Sequence, residues 1–326
     1  MTEFDLIDII RARCAATRAD VRLGIGDDAA VLVPPPGHDL VVSTDTLIAG
    51  VHFPMTTGIR DLGWKSLAVN LSDLAAMGAT PAWALLALTL PAADRSFVEE
   101  FSDGFAELAA QYSVALVGGD TTQGPLTVTV VVHGFVAANS ALRRDGARVG
   151  DGVYVTGALG DAAAGLGCLD ANAVRMSECS YTPEVRAHLI ARLMRPTPRV
   201  AAGMALRGRA SACIDVSDGL LADLGHIAAC SGVGIEVDAA TLPASSALLA
   251  LFDGDERIAL QASGGDDYEL AFTMPSTHAE NMQGDIARIG CGATRIGRVV
   301  AEPGVRLIDA SGAQIVLRQP GWQHFA

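Results

Sequence analysis

No C-x-x-C pair and no paired spacing occurs among the six cysteines of this 326-residue chain, Cys14, Cys168, Cys179, Cys213, Cys230 and Cys291. That excludes a zinc ribbon and a disulfide framework, and leaves reduced, mostly buried thiols as the reading. Long hydrophobic runs are also missing. The longest, residues 82–90, stops at Pro91 and is far short of a membrane span. The start, Met1-Thr2-Glu3-Phe4-Asp5, is acidic and lacks the basic and apolar segments of a signal peptide, so a soluble cytoplasmic protein is expected. Positive charge is scarce, with 23 Lys and Arg against 37 Asp and Glu, a net charge of −14. Nucleic acid and anionic membranes need a basic footprint, so neither is expected as a partner. A Walker loop, G-x-x-x-x-G-K-[ST], is absent, and with it the P-loop lysine.

What the chain does have is acid flanked by glycine and small hydroxyl residues, at six places. They are Gly24-Ile25-Gly26-Asp27-Asp28, Ser43-Thr44-Asp45-Thr46 and Asn70-Leu71-Ser72-Asp73-Leu74 in the first half. Gly118-Gly119-Asp120-Thr121-Thr122, Asp215-Val216-Ser217-Asp218-Gly219 and Gly264-Gly265-Asp266-Asp267-Tyr268-Glu269 follow. Hard cations such as Mg²⁺ want carboxylate oxygens, hydroxyls or carbonyls, and substrate phosphates. Glycines beside the carboxylates let the backbone approach a phosphate and turn N–H groups towards it. The pattern points to a phosphorylated substrate handled through several metal ions.

Half the residues are hydrophobic, enough for two domains at about 150 residues each. In the first half the patterning predicts helices over 4–14, 61–77 and 95–112. Buried strands are expected over 39–43 (Leu40, Val41, Val42), 82–90, 114–117 and 126–136. Asp45 and Asp120 then fall at strand ends, and Gly78 stops the second helix. The charged, glycine-containing stretch 139–150 reads as a joint between a domain at 1–138 and one at 151–326. The second half restarts with strands at 153–156 and 213–216 and helices at 162–169, 199–206 and 220–229. Further strands are predicted at 268–273, 295–300 and 306–309. Both halves are mixed α/β, and no periodic repeat is present.

The six acidic blocks, extended to Ala68-Val69-Asn70-Leu71-Ser72-Asp73-Leu74-Ala75-Ala76-Met77-Gly78-Ala79 and Gly265-Asp266-Asp267-Tyr268-Glu269-Leu270, resemble those of the bacterial thiamine-monophosphate kinases, in the same order and nearly end to end. The resemblance implies a two-domain α/β (α+β) fold of the aminoimidazole ribonucleotide synthetase type. Its N-terminal domain would bind ATP and form a barrel with its twin in a homodimer, and its C-terminal domain would be mixed α/β. It implies ATP and thiamine monophosphate as substrates and several Mg²⁺ ions, with a monovalent cation as a further candidate. The attacking group in that reaction is already an anionic phosphate oxygen, so no side-chain nucleophile is needed.

By the same resemblance Asp28, Asp45, Asp73 and Asp120 are the metal-binding set, with oxygens from Ser43 and Thr44. Each of these acids could instead cap a helix or turn, and Asp27 competes with Asp28. Gly119 and Asp120 match the pair that contacts ATP, and Arg144, with Arg143 as a neighbouring decoy, matches an arginine near the phosphates. Asp215 and Asp218 add metal contacts and Ser217 a nucleotide contact. His52, Asp266 and Trp322 match substrate-binding positions; an indole face suits the cationic thiazolium ring. The family commonly carries Glu where this chain has Asp266, which shortens the reach of that acid by one methylene. The rival readings are another ATP-dependent enzyme of the superfamily and a non-catalytic nucleotide or cation sensor. Cys14 inside a helical pattern and the ending His324-Phe325-Ala326 fit selenophosphate synthetase and the hydrogenase maturation protein poorly.

Overall fold

The computed structural model describes residues 2–14, 17–169 and 182–323; Cys179 and the ending His324-Phe325-Ala326 lie outside them. Two compact units are present, Met1–Leu74 with Ala79–Ala141, and Ala75–Gly78 with Leu142–Ala326. Among the described residues no helix is long and apolar enough to cross a membrane.

The first unit runs α1 (Glu3–Arg13), β1 (Val21–Leu23), β2 (Val31–Leu32), β3 (His38–Ile48), α2 (Ile59–Ala76), β4 (Thr80–Leu90), α3 (Arg95–Gln111), β5 (Ala115–Gln123) and β6 (Thr127–Ala137). β1 and β2 form a short antiparallel ribbon on either side of the Gly24–Asp28 loop. The other four strands make one sheet in the order β3-β6-β4-β5, parallel only between β4 and β5. α2 is buried nearly all round: Leu62, Leu67, Leu71, Leu74 and Ala75 are at most 2% exposed. It ends as expected at Gly78 (φ +66°), with Ala79 N–H donating to the Leu74 carbonyl and Gly78 N–H to that of Ala75.

Two strands run further than the patterning predicts. β3 continues to Ile48 and β5 to Gln123, so Asp45 and Asp120 lie within strands rather than at their ends. In β5 the ladder to β4, with Leu86 opposite Gly119 and Ala87 opposite Asp120, outweighs the poor strand preference of the glycine pair. The expectation of a buried strand at residues 39–43 also fails. Leu40 and Val42 are 48% and 52% exposed, because β3 is an edge strand whose even-numbered residues face away from α2.

The second unit runs β7 (Gly152–Thr156), α4 (Asp161–Leu169), α5 (Pro183–Met194), α6 (Val200–Leu206), β8 (Ala212–Asp215), α7 (Leu220–Ser231), β9 (Gly234–Asp238), α8 (Ser246–Leu251), α9 (Gly254–Ser263), β10 (Leu270–Met274), α10 (Ser276–Arg288), β11 (Ala293–Val300), β12 (Gly304–Ile308) and β13 (Gln314–Ile315). Its seven strands form a sheet in the order β13-β12-β9-β11-β7-β10-β8. The core draws on Val153, Val155, Ile214, Leu224, Ile235 and Ile296. The sheet is antiparallel except between β12 and β9.

Candidate functional site

The register of the first sheet decides where its acids point. One row across the strands is Gly118, Leu85, Val131 and Thr44; the next is Gly119, Leu86, Val130 and Asp45; the third is Asp120, Ala87, Thr129 and Thr46. Successive residues face opposite sides. Thr44 and Asp120 therefore share the open face, and Ser43 and Asp45 turn towards α2. The contacts agree: Ser43 Oγ donates to Asp73 Oδ2 of α2 at 2.5 Å, and Asp45 N–H donates to Asn70 Oδ1 at 2.9 Å. The expected metal set is thus divided, with Ser43, Asp45 and Asp73 on the helix side and Thr44 and Asp120 on the other.

On the open face a cavity of about 1050 Å³ lies between the sheet, α1 and the Gly24–Asp28 loop. Asp27, Asp28, Gly118, Gly119 and Asp120 line one part, and Leu85, Val131 and His133 another. Gly119 (φ +153°) is required here, because a Cβ would fall 1.8 Å from the Leu86 carbonyl oxygen. The chain thereby brings bare backbone to the cavity wall. Asp27 Oδ1 accepts from the N–H of Asp28 at 2.8 Å, which ties Asp27 into the loop, although both acids are exposed. Among the described residues neither Asp28 nor Asp120 has a cationic partner, so these carboxylates are not spent on structure. Burial lowers the pKa of His133, with a hydrogen bond to the Trp83 backbone acting the other way, and its Nδ1 meets no hydrogen-bond partner among the described residues. His52 stands outside this cavity; its Nδ1 accepts from Ile48 N–H at 3.0 Å, which places the proton of the neutral ring on Nε2.

In the second unit the loop after β8 is held from three sides. Asp223, in the first turn of α7, accepts the N–H groups of Ser217, Asp218 and Gly219 at 3.1, 3.2 and 3.1 Å. Burial pushes its carboxyl up to about 7, with the charge of Asp218 acting the same way against those donors. The segment 265–268 straps onto the loop through Asp266 N–H to Ser217 O and Tyr268 N–H to Val216 O, both 2.8 Å. Asp266 takes a left-handed conformation (φ +68°), and Tyr268 Oη donates to its Oδ1 at 3.0 Å. The backbone N–H of Trp322 donates to Asp218 O at 2.9 Å, and the residue is 56% exposed. Ser217, Asp218, Asp266 and Trp322 are thus gathered in one place, while Asp215 is buried at the end of β8.

Neighbouring arginines also separate. Arg143 clasps Asp145 through Nε and Nη2 at 2.8 and 2.6 Å, whereas Arg144 has no carboxylate partner among the described residues. Two acids of the Gly-Asp-Asp-Tyr-Glu block are structural. Asp267 accepts from Gly160 N–H at 2.8 Å at the start of α4. Glu269, fully buried, accepts from Arg192, from Arg199 twice and from Thr156 Oγ1. Sequence reasoning passed over Asp223 and the partners of Glu269. Only an acid in the first turn of the predicted helix at 220 hinted at the former. Five described cysteines are free; burial raises the thiols of Cys14, Cys168, Cys213 and Cys291, which makes them poor nucleophiles.

Comparison with known proteins gives the family and the fold. Residues 26–136 match the AIR synthase related protein N-terminal domain, and residues 148–310 the corresponding C-terminal domain. The chain is 47% identical over 326 residues to thiamine-monophosphate kinase of Salmonella typhimurium, covering 99% of this chain and 98% of the relative. Against that of Escherichia coli K12 it is 45% identical over 324 residues, with the same coverage. The crystal structure of thiamine-monophosphate kinase from Stenotrophomonas maltophilia K279a superposes with a TM-score of 0.86 at 50% identity, over 94% of this chain and 96% of that one. AaThiL complexed with AMPPCP and TMP superposes with a TM-score of 0.78 at 35% identity, over 99% and 97%.

Proposed function

The chain belongs to the thiamine-monophosphate kinase family, and we propose that its two acidic sites serve that family's reaction, transfer of the terminal phosphoryl group of ATP to thiamine monophosphate. The products are ADP and thiamine diphosphate. The observation that carries this reading is Asp28 with Asp120, two carboxylates with no cationic partner among the described residues, in one cavity beside the bare backbone of Gly119. Mg²⁺ is commonly held by one or two carboxylates with substrate phosphates and water completing its shell. Asp28, Thr44 and Asp120 would hold it on the open face, Ser43, Asp45 and Asp73 on the helix side, and Asp215 and Asp218 in the second unit. Mg²⁺ held there would neutralise phosphate charge that otherwise opposes the approach of two anions.

The chain's own groups do the rest. In the first unit Gly119 presents its backbone to the phosphates of ATP and His52 is a substrate contact. In the second, Arg144, with no carboxylate partner among the described residues, and Ser217 serve the nucleotide, Trp322 stacks on the thiazolium cation, and Asp266, its carboxylate aimed by Tyr268, takes the substrate. The acceptor is a phosphate oxygen that is already ionised, so no side chain has to remove a proton from it. The working form is a homodimer. The outer edge of β3 and its exposed Leu40 and Val42 support pairing with a second copy, since an open apolar strand edge invites another strand.

The test is steady-state kinetics with both substrates varied, and labelled ATP offered alone. Intersecting lines and an unlabelled protein are expected; label held on a side chain without thiamine monophosphate would replace direct transfer by a phosphoenzyme route.

A further inference from the structure

The cavity of the first unit contains one guanidinium that none of the acidic motifs includes. Arg11 lies in the last turn of α1 and, among the described residues, is the only Arg or Lys lining that cavity. Its guanidinium rests against the backbone of the Gly24–Asp28 loop: a Cβ on Gly26 (φ +125°) would fall 3.2 Å from Nη1 and 3.5 Å from Cζ. The space that glycine leaves is the space this side chain uses. Other arginines close by in sequence are engaged, Arg13 with Glu99 and Asp103 and Arg18 with Asp20. Arg11 has no carboxylate within ion-pairing distance among the described residues, although Asp8, one turn earlier on α1, and Asp27, Asp28 and Asp120 line the same cavity.

A cavity that holds several carboxylates and a guanidinium with no carboxylate partner among the described residues is suited to a metal-bound polyphosphate. The acids face the cation, and the planar fork of arginine matches pairs of phosphate oxygens. We propose that Arg11 donates to the polyphosphate oxygens of the bound nucleotide from the α1 side of the cavity. This rests on the reading that the cavity takes ATP.

The experiment is calorimetric titration of the full chain, with Mg²⁺ present, by ATP, AMP and adenosine, for wild type, Arg11→Gln and Arg11→Lys. Melting temperatures are read alongside. A charge-assisted hydrogen bond to phosphate predicts that Arg11→Gln weakens ATP binding about ten- to a hundredfold. Binding of AMP should weaken less, and that of adenosine should be unchanged. Arg11→Lys should recover part of the loss as a point charge, and the Michaelis constant for thiamine monophosphate should not move. Equal losses for adenosine and ATP, or a lowered melting temperature with ATP affinity intact, would show Arg11 to be a support for α1 and overturn the proposal. Asp28→Asn and Asp120→Asn serve as controls. If they weaken ATP binding and Arg11→Gln does not, the proposal alone fails. If all three keep wild-type affinity, the cavity is not the nucleotide site and both readings fall.

Discussion

Replacing Asp120 by asparagine separates chemistry from folding. The residue sits in β5 opposite Ala87, and its carboxylate is exposed, with no ion pair among the described residues. Asparagine keeps the size and the backbone register. The change in folding stability should stay within about 0.5 kcal/mol, as for surface substitutions generally. That is a shift of about 2 °C or less in Tm for units of this size. If the carboxylate holds Mg²⁺ against the phosphates, removing its charge should cost about 3–4 kcal/mol of transition-state stabilisation, or 10²–10³-fold in kcat. The assay is ADP release coupled to a chromogenic reaction across a Mg²⁺ titration, with Tm measured on the same samples. Turnover close to wild type at saturating Mg²⁺ would refute the metal assignment. A large fall in Tm would mean that the carboxylate has a structural role.

Trp322→Ala should weaken thiamine monophosphate binding about tenfold while ATP affinity and Tm hold, with Trp322→Phe intermediate and Trp322→Leu close to alanine. A drop in Tm for all three with an unchanged Michaelis constant would assign the indole to packing instead. Arg144→Ala should raise the Michaelis constant for ATP several-fold, and Arg143→Ala, which breaks only an exposed pair with Asp145, should leave kinetics and Tm nearly unchanged. Glu269→Gln strips two guanidiniums of their shared buried carboxylate and should cost about 3–5 kcal/mol in urea unfolding; a loss below 1 kcal/mol would show the cluster relaxes. His133 has a folded pKa below its ordinary 6.5 because of burial. The unfolded chain therefore takes up a proton first, and stability contributed by the neutral ring is lost as pH falls below about 6.5. Urea midpoints at pH 7 and pH 5 should differ more for wild type than for His133→Asn; equal differences would exclude that contribution.

The helices and strands of the first unit were legible because their apolar spacing is strong, as in α2, with its glycine stop. Strand ends were not. At Asp45 and Asp120 the ladder to neighbouring strands carries the chain past residues whose local preference is to turn. Which face of β3 is buried depends on where α2 lies, and Leu40 and Val42 look like core to any local reading. α5, α8, α9 and α10 were missed for a different reason: they are short, or polar over most of their surface, and their burial comes from neighbours distant in sequence.

The acidic motifs mark the neighbourhood of the candidate site better than the task of each acid. Composition marks Asp27 and Asp28 alike, and a hydrogen bond to the next residue distinguishes them. Arg143 and Arg144 differ only through Asp145. Glu269 belongs to the same glycine-acid block as Asp266, yet it is consumed by Arg192 and Arg199, about seventy residues away. Arg11 carries no motif signal, since its place beside Gly26 arises from the packing of α1 on the loop.

The central claim, that this chain carries the terminal phosphoryl group of ATP to thiamine monophosphate, is tested most directly by following γ-labelled ATP with Mg²⁺, with and without that acceptor. The account predicts label in thiamine diphosphate in equal amount to the ADP formed, and negligible ADP when thiamine monophosphate is left out. ADP formed at the same rate without the acceptor, or label appearing only as inorganic phosphate, would contradict it.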